Sequence, residues 1–321
     1  MTLRPRPFMQ VDVFTATPYL GNPLAVVLDG TGLSDDAMQR FAQWTNLSET
    51  TFVLPPTEAG CAAGADYRVR IFTPGAELPF AGHPTLGTCH AWLAHGGQPR
   101  EAGVVRQECG VGVVVLHQTG GSHGGGHAQR MAFAAPSLTR STPATTHLAP
   151  LLAALGLNAA QVLAAQSLNN GPEWLGLLLD SPDTVLALTP DHAALKALNQ
   201  KVGVAALQPP ADEPLLIARS SREARAFAPT AGPGSAPDLW VRGFAAPVGV
   251  PEDPVTGSLN ASLAQWLMAD GLLPQACRHA YTATQGQALG RDGLVFLSRD
   301  ASGQVWVGGD VAPCIQGTVA L

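Results

Sequence analysis

Charge is scarce in this chain: Asp, Glu, Lys and Arg together make up 13% of the residues, and no Lys/Arg cluster interrupts a net charge of −6. Without a basic cluster there is no phosphate-backbone footprint, so nucleic acid is not an expected partner. Apolar runs of bilayer-spanning length are lacking too, and the opening MTLRPRPFMQVDVF passes straight into a strand pattern with no signal-peptide core. That reads as a cytoplasmic protein with no membrane partner. The five cysteines, Cys61, Cys89, Cys109, Cys277 and Cys314, are scattered and form no CxxC, which argues against a disulfide framework and a zinc site. A P-loop, a GxGxxG opening a helix after a strand and a GxSxG elbow are all missing, so no nucleotide cofactor is indicated and serine-hydrolase chemistry has no support.

What the chain does have is core material. Hydrophobic residues form 46% of its 321 positions, enough for two domains with a core each. Val11 to Thr15 and Pro23 to Leu28 are short apolar runs separated by Pro18, Gly21 and Asn22, a spacing that predicts two paired strands. Ser34 caps a predicted helix whose apolar positions Met38, Phe41 and Trp44 recur at helical spacing and which ends near Asn46. Tyr67, Val69 and Ile71 alternate with Arg68 and Arg70 as in a half-buried strand. A glycine-punctuated loop, Gly82-His83-Pro84-Thr85, then feeds a buried helix carrying Leu86, Cys89, Ala91 and Leu93 and stopped by Gly96 and Gly97.

The glycine-rich stretch TGGSHGGGH at 119–127 marks the expected crossover between domains. His123 and His127 within it have a spacing that suits metal ligands on a helix, but the loop is mostly glycine and offers no third ligand, so no metal is expected. Beyond it, LLIARS reads as a strand between two Pro/Gly-rich patches. The earlier plan then repeats: a strand from Leu239 to Phe244, a loop Pro251-Glu252-Asp253-Pro254-Val255-Thr256-Gly257-Ser258, and a helix LNASLAQWLMADG. Trp92-Leu93 and Trp266-Leu267 near the ends of the two helices support a duplication. A duplicated plan places two helix N-termini face to face, and their unpaired N–H groups bind a carboxylate without Arg or Lys.

The loops before those helices hold His83 and Asp253, and Glu49 lies in NLSETTF between a helix and a strand. Desolvation would raise a glutamate's pKa toward neutrality, as a base that must return its proton requires. On spacing alone, however, Glu49 reads first as a surface or capping residue, His83 as a loop or capping group, Asp253 as turn chemistry before proline, and Ser258 as an N-cap.

The ordered motifs change that weighting. VDVFTATPYLGNPLAVVL (11–28), NLSETTFV (46–53), RVRIFTPGAELPFAGHPTLGT (68–88), GVPEDPVTGSLNASLAQWL (249–267), QGQALGR (285–291) and VGGDVAPCIQGTV (307–319) span nearly the whole chain. In them the chain resembles the PhzF-like isomerases, relatives in fold of diaminopimelate epimerase and proline racemase. The resemblance implies an α+β fold of two pseudo-symmetric domains, each a mostly antiparallel, barrel-like sheet around a central helix. The domains are expected at 1–128 and 129–311, with the tail 312–321 packing back on the first. It also implies Glu49 as acid/base, His83 and Asp253 in the same pocket, and a substrate carboxylate held around Gly82, Pro84, Thr85, Thr256, Gly257 and Ser258.

The related racemases use a cysteine at each helix start. This sequence has none beside either loop, which leaves a carboxylate-centred shuttle of one proton within a small carboxylic acid. Two alternatives stay open, an epimerase using Glu49 and Asp253 and a binding module without turnover. No cofactor is implied, and a homodimer is the expected assembly.

Overall fold

The computed structural model describes residues 3–119, 130–209 and 236–321. His123, His127 and the strand expected in LLIARS lie outside the described residues. The first stretch folds as β1 (Pro5–Val13), β2 (Asn22–Val27), α1 (Asp35–Thr45), β3 (Glu49–Leu54), α2 (Glu58–Ala62), β4 (Tyr67–Phe72), β5 (Glu77–Leu78), α3 (Gly82–Ala94), β6 (Val104–Cys109) and β7 (Gly112–Thr119). After β8 (Arg130–Ala134) come β9 (Thr139–Ser141), α4 (Thr145–Leu155), β10 (Val162–Asn169), β11 (Glu173–Leu179), α5 (Pro182–Ala187), α6 (His192–Ala197) and β12 (Val202–Leu207). The last stretch holds β13 (Leu239–Ala245), β14 (Val250–Asp253), α7 (Gly257–Ala269), β15 (Ala280–Gln285), β16 (Gly293–Arg299), β17 (Val305–Gly309) and β18 (Val311–Ala320).

The strand pairings repeat themselves. One series runs β18-β1-β2-β3-β4-β6-β7-β8, with β5 added to β4. The other runs β9-β10-β11-β12-β13-β15-β16-β17, with β14 added to β13. Within the first, β2/β3 and β4/β6 are parallel and all other pairs antiparallel; within the second, the parallel pairs are their counterparts β11/β12 and β13/β15. The fold is therefore α+β, two pseudo-symmetric sheets each curled round a central helix, α3 or α7. The β8–β17 pairing joins them. The C-terminal strand β18 occupies in the first series the place that β9 holds in the second, and it does so by pairing with β1.

Each central helix is apolar on nearly every face, which is what a helix enclosed by a sheet requires. In α3 every residue from Gly82 to Cys89 is buried, and in α7 Leu259 to Ala264 are buried without a break. Contact is close enough that a Cβ on Gly87 would lie 2.6 Å from a Leu24 methyl and 2.8 Å from one of Val13. The Trp-Leu pairs are a weaker sign of duplication than expected. Trp92 lies ten residues on from Gly82 and Trp266 nine on from Gly257, an offset that turns the two indoles to different faces. Trp266 is buried, whereas Trp92 is half-buried and stacked on Tyr67.

On the outside, α1 covers the sheet with Met38, Phe41 and Ala42. Trp44, expected on that apolar face, is 79% exposed and stacks on Phe41, because its position falls at the border of the stripe. No helix among the described residues is long and apolar enough to cross a membrane.

Candidate active site

The two central helices meet end to end. A Cβ on Gly257 would sit 3.0 Å from Gly82 Cα and 3.3 Å from the His83 amide nitrogen, so only glycine allows both backbones this approach. Neither Ala81 nor Thr256, the two N-caps, bonds the helix with its side chain. The first-turn amides of Gly82, His83, Gly257 and Ser258 thus converge with their positive dipole ends together.

Glu49 reaches this point through local chemistry. Asn46 closes α1 in the left-handed region (φ 54°), a conformation asparagine tolerates, and its N–H bonds Ala42 O. The reversal starts β3 at Glu49, which pairs in parallel register with Leu24 of β2. Thr51, on the same strand face two residues on, accepts a 2.8 Å hydrogen bond from the Thr88 hydroxyl of α3, so this face looks inward. Glu49 accordingly comes to rest against His83, the second residue of α3, with Oε2 3.4 Å from His83 Nε2. Both atoms are buried and neither has a hydrogen-bond partner.

Asp253 arrives from the other half as the last residue of β14, opposite Gly243 of β13. Its Oδ1 accepts from Asn22 Nδ2 at 2.9 Å and its Oδ2 from the Thr256 hydroxyl at 2.7 Å. Gln285, at the end of β15, steadies this loop. Its Nε2 donates to the Asp253 carbonyl and to Thr256 Oγ1, and its Oε1 accepts from the Thr256 amide and from Asn260.

Burial sets the protonation states. It is the main cause lifting Glu49 from 4.5 to about 8, and the charge of Asp253 adds to it. Burial also drives His83 down to about 3, against the Pro23 carbonyl, whose nearness favours the charged ring. Asp253 is pushed up to about 6 by burial, with Thr256 and Asn22 pulling the other way and Glu252 adding to the rise. Near neutral pH the cluster therefore holds a protonated Glu49, a neutral His83 and an ionised Asp253. Cys89, well inside α3 beside Tyr67, is pushed up to about 12 by burial and stays a thiol.

Of the residues singled out in the sequence, Glu49, His83, Asp253, Thr256, Gly82 and Gly257 gather at this junction. Pro84 is buried in the first turn of α3, where its missing N–H costs nothing. The Thr85 hydroxyl is taken up inside the helix start: it donates to the Ala81 carbonyl at 2.8 Å and accepts from Gln107 at 3.2 Å. Ser258 accepts at Oγ from the Trp174 indole N–H at 3.2 Å. Asn22, Gln285 and Asn260 carry the network without having been picked out, since nothing in their local spacing separates them from ordinary turn and helix residues. Among the described residues no three His, Cys, Asp or Glu side chains are grouped to hold a metal ion.

Two like halves, each a sheet curled round a central helix, form a fold shared with PhzF-family proteins and a hydroxyproline epimerase. The chain belongs to the phenazine biosynthesis-like family, PhzC-PhzF, whose model matches residues 11–317. It is an isomerase, like its named relatives. The trans-2,3-dihydro-3-hydroxyanthranilate isomerase of Pseudomonas aeruginosa is 32% identical over 98% of this chain and 99% of its own. Antisense-enhancing sequence 1 of Schizosaccharomyces pombe is 33% identical over 97% of each. Among solved structures, a PhzF-family phenazine biosynthesis protein of Bacillus anthracis shares the fold at TM-score 0.77 and 22% identity, over 99% of this chain and 100% of that one. A hydroxyproline epimerase of Agrobacterium vitis shares it more distantly, at TM-score 0.55 and 13% identity over 99% and 93%.

Proposed function

We propose that this isomerase works without a cofactor, moving a proton within a small cyclic or unsaturated carboxylic acid with Glu49 as the one acid/base. The observation that carries this is Glu49 Oε2: a buried carboxyl oxygen without a partner, on a group raised to about 8, at the mouth of two helix dipoles. Asp253 is the weaker candidate for a base, because both its oxygens are engaged.

In the reaction the Glu49 carboxylate takes a proton from carbon; the C–H bond breaks, an O–H bond forms and the electron pair spreads into the substrate's unsaturated acid. The amides of Gly82, His83, Gly257 and Ser258 stabilise that charge on the substrate carboxylate, with Pro84, Thr85 and Thr256 shaping the helix starts. Glu49, whose proton can exchange with solvent in between, then returns a proton to a second carbon on the same face, and the double bond moves. No electron acceptor is needed.

The test is proton NMR in deuterated buffer on a panel of small unsaturated carboxylic acids that includes trans-2,3-dihydro-3-hydroxyanthranilate, with wild type and Glu49→Gln side by side. Exchange and double-bond migration in wild type, both abolished in the variant, are expected. Exchange surviving in Glu49→Gln would remove Glu49 as the base. Label confined to a single carbon that inverts would mark an epimerase, and binding with no exchange would mark a binding module. The division near residue 128 and the homodimer belong to the same proposal, the latter checked by sedimentation equilibrium.

A further inference from the structure

We infer that Asn22 is a positioning residue for this site: its side-chain amide, from the first repeat, holds the Asp253 carboxylate of the second across the junction. It rests on taking the cluster as the active site, but not on what the substrate is.

The hydrogen-bond inventory decides the roles. Asn22 is fully buried, and its Nδ2 donates to Asp253 Oδ1 at 2.9 Å and to the Val255 carbonyl at 2.9 Å. An amide nitrogen has two hydrogens and no lone pair to offer, so both are used. Asn22 Nδ2 also lies 3.4 Å from His83 Nδ1, a longer approach than either of these bonds.

Placement in the sheet holds Asn22 in position. Asn22 starts β2 opposite Val13 of β1, and two residues later Leu24 pairs with Glu49 of β3. Gly21 just before it has no room for a side chain, since a Cβ there would strike the Val13 carbonyl. Asn22 belongs to the first repeat while Asp253 and Val255 belong to the second, so one side chain ties the two halves beside the reacting groups.

The second repeat also sends its hairpin to the helix junction. Ser258, the second residue of α7 as His83 is of α3, is held at its hydroxyl by Trp174 and at its carbonyl by Asn170, both from the β10–β11 hairpin. The hairpin that corresponds to β1–β2 clamps the corresponding helix residue.

The groups acting on Asp253 besides Asn22 are Glu49 from β3, the Thr256 hydroxyl, and Glu252 in β14, itself paired with Arg242 of β13 at 2.8 Å. In that setting the Asn22 donation favours the ionised carboxylate, and removing it favours the neutral acid.

The test reads the free enzyme. Carboxyl-13C-aspartate NMR follows Asp253, assigned by Asp253→Asn, in wild type, Asn22→Ser and Asn22→Ala. Expected is an upward move of the Asp253 titration by about one pH unit in Asn22→Ala and less in Asn22→Ser. A melting temperature that falls in both variants while the Asp253 titration stays in place would make Asn22 merely structural and overturn the inference. Because the readout involves no turnover, a failure of Glu49 as the base would leave the result standing.

Discussion

Replacing Glu49 by Gln removes the one carboxyl among the described residues that the fold buries with an unpartnered oxygen, and its effect on stability depends on pH in a direction the structure dictates. The side chain is 15% exposed, Oε2 has no hydrogen-bond partner, and burial raises the group from 4.5 to about 8. A carboxyl with a raised pKa is held in its neutral form by the native state, so the native state binds the proton more tightly than the unfolded chain does. The stability this contributes is fully present below the unfolded value of 4.5 and is lost as pH rises through about 8. At ~1.4 kcal/mol per unit the swing has a ceiling of about 5 kcal/mol, reduced by whatever water and local motion reach the ionised group. Gln mimics the neutral acid at every pH.

Wild type and Glu49→Gln are therefore expected to be similarly stable at about pH 4.5, with the variant gaining by several kcal/mol by about pH 9. His83, lowered to about 3, makes both proteins lose stability as pH falls below its ordinary 6.5, and this largely cancels in the difference. Urea unfolding followed by tryptophan fluorescence across that range measures it. A difference between the two proteins constant to within about 1 kcal/mol would refute the claim that Glu49 is buried and raised.

Four further outcomes follow from the same geometry. Log kcat/KM for the proton transfer should rise with pH to a plateau above about 8 as Glu49 ionises, and Glu49→Gln should lose on the order of 10²–10⁴-fold in kcat; an acid limb unaltered in Glu49→Asp would contradict the assignment. Gly257→Ala puts a methyl 3.0 Å from Gly82 Cα, so the helix ends must part, and kcat should fall about 10²-fold with a lowered melting temperature. Arg242→Met leaves buried Glu252 without the guanidinium that holds it at 2.8 and 2.9 Å, which should cost about 3–5 kcal/mol in a denaturant titration and raise the Asp253 titration. Thiol-modifying reagents at mildly alkaline pH should label exposed Cys61 and spare Cys89 until the chain is unfolded, as peptide mapping would show.

Much of the local structure was legible because it depends on near neighbours. Ser34 does cap α1, and Asn46 does end it, through bonds to residues three or four positions away. The alternation around Val69 does make β4, and the glycine-led loops at Gly82 and Gly257 do open the two buried helices. The parallel β2/β3 pairing was not legible, because α1 intervenes and strand direction is chosen by the packing of that crossover. Trp44 shows the limit of periodicity, since a residue at the border of a stripe can lie on either side of it.

By itself, the sequence determined which side chains were available to act: one Glu after a helix end, a His and an Asp in loops before two apolar helices, and no cysteine at either helix start. Tertiary structure alone decided what those groups are chemically. Glu49 is an acid with a pKa of about 8, and not a surface carboxylate, because two sheets close over it and leave Oε2 dry. Asn22 and Gln285 became part of the site only when strands distant in sequence brought them to Asp253. Hydrogen bonds within a helix turn are written in spacing of three or four residues, whereas desolvation is a property of everything packed around a group, and no local stretch of chain contains it.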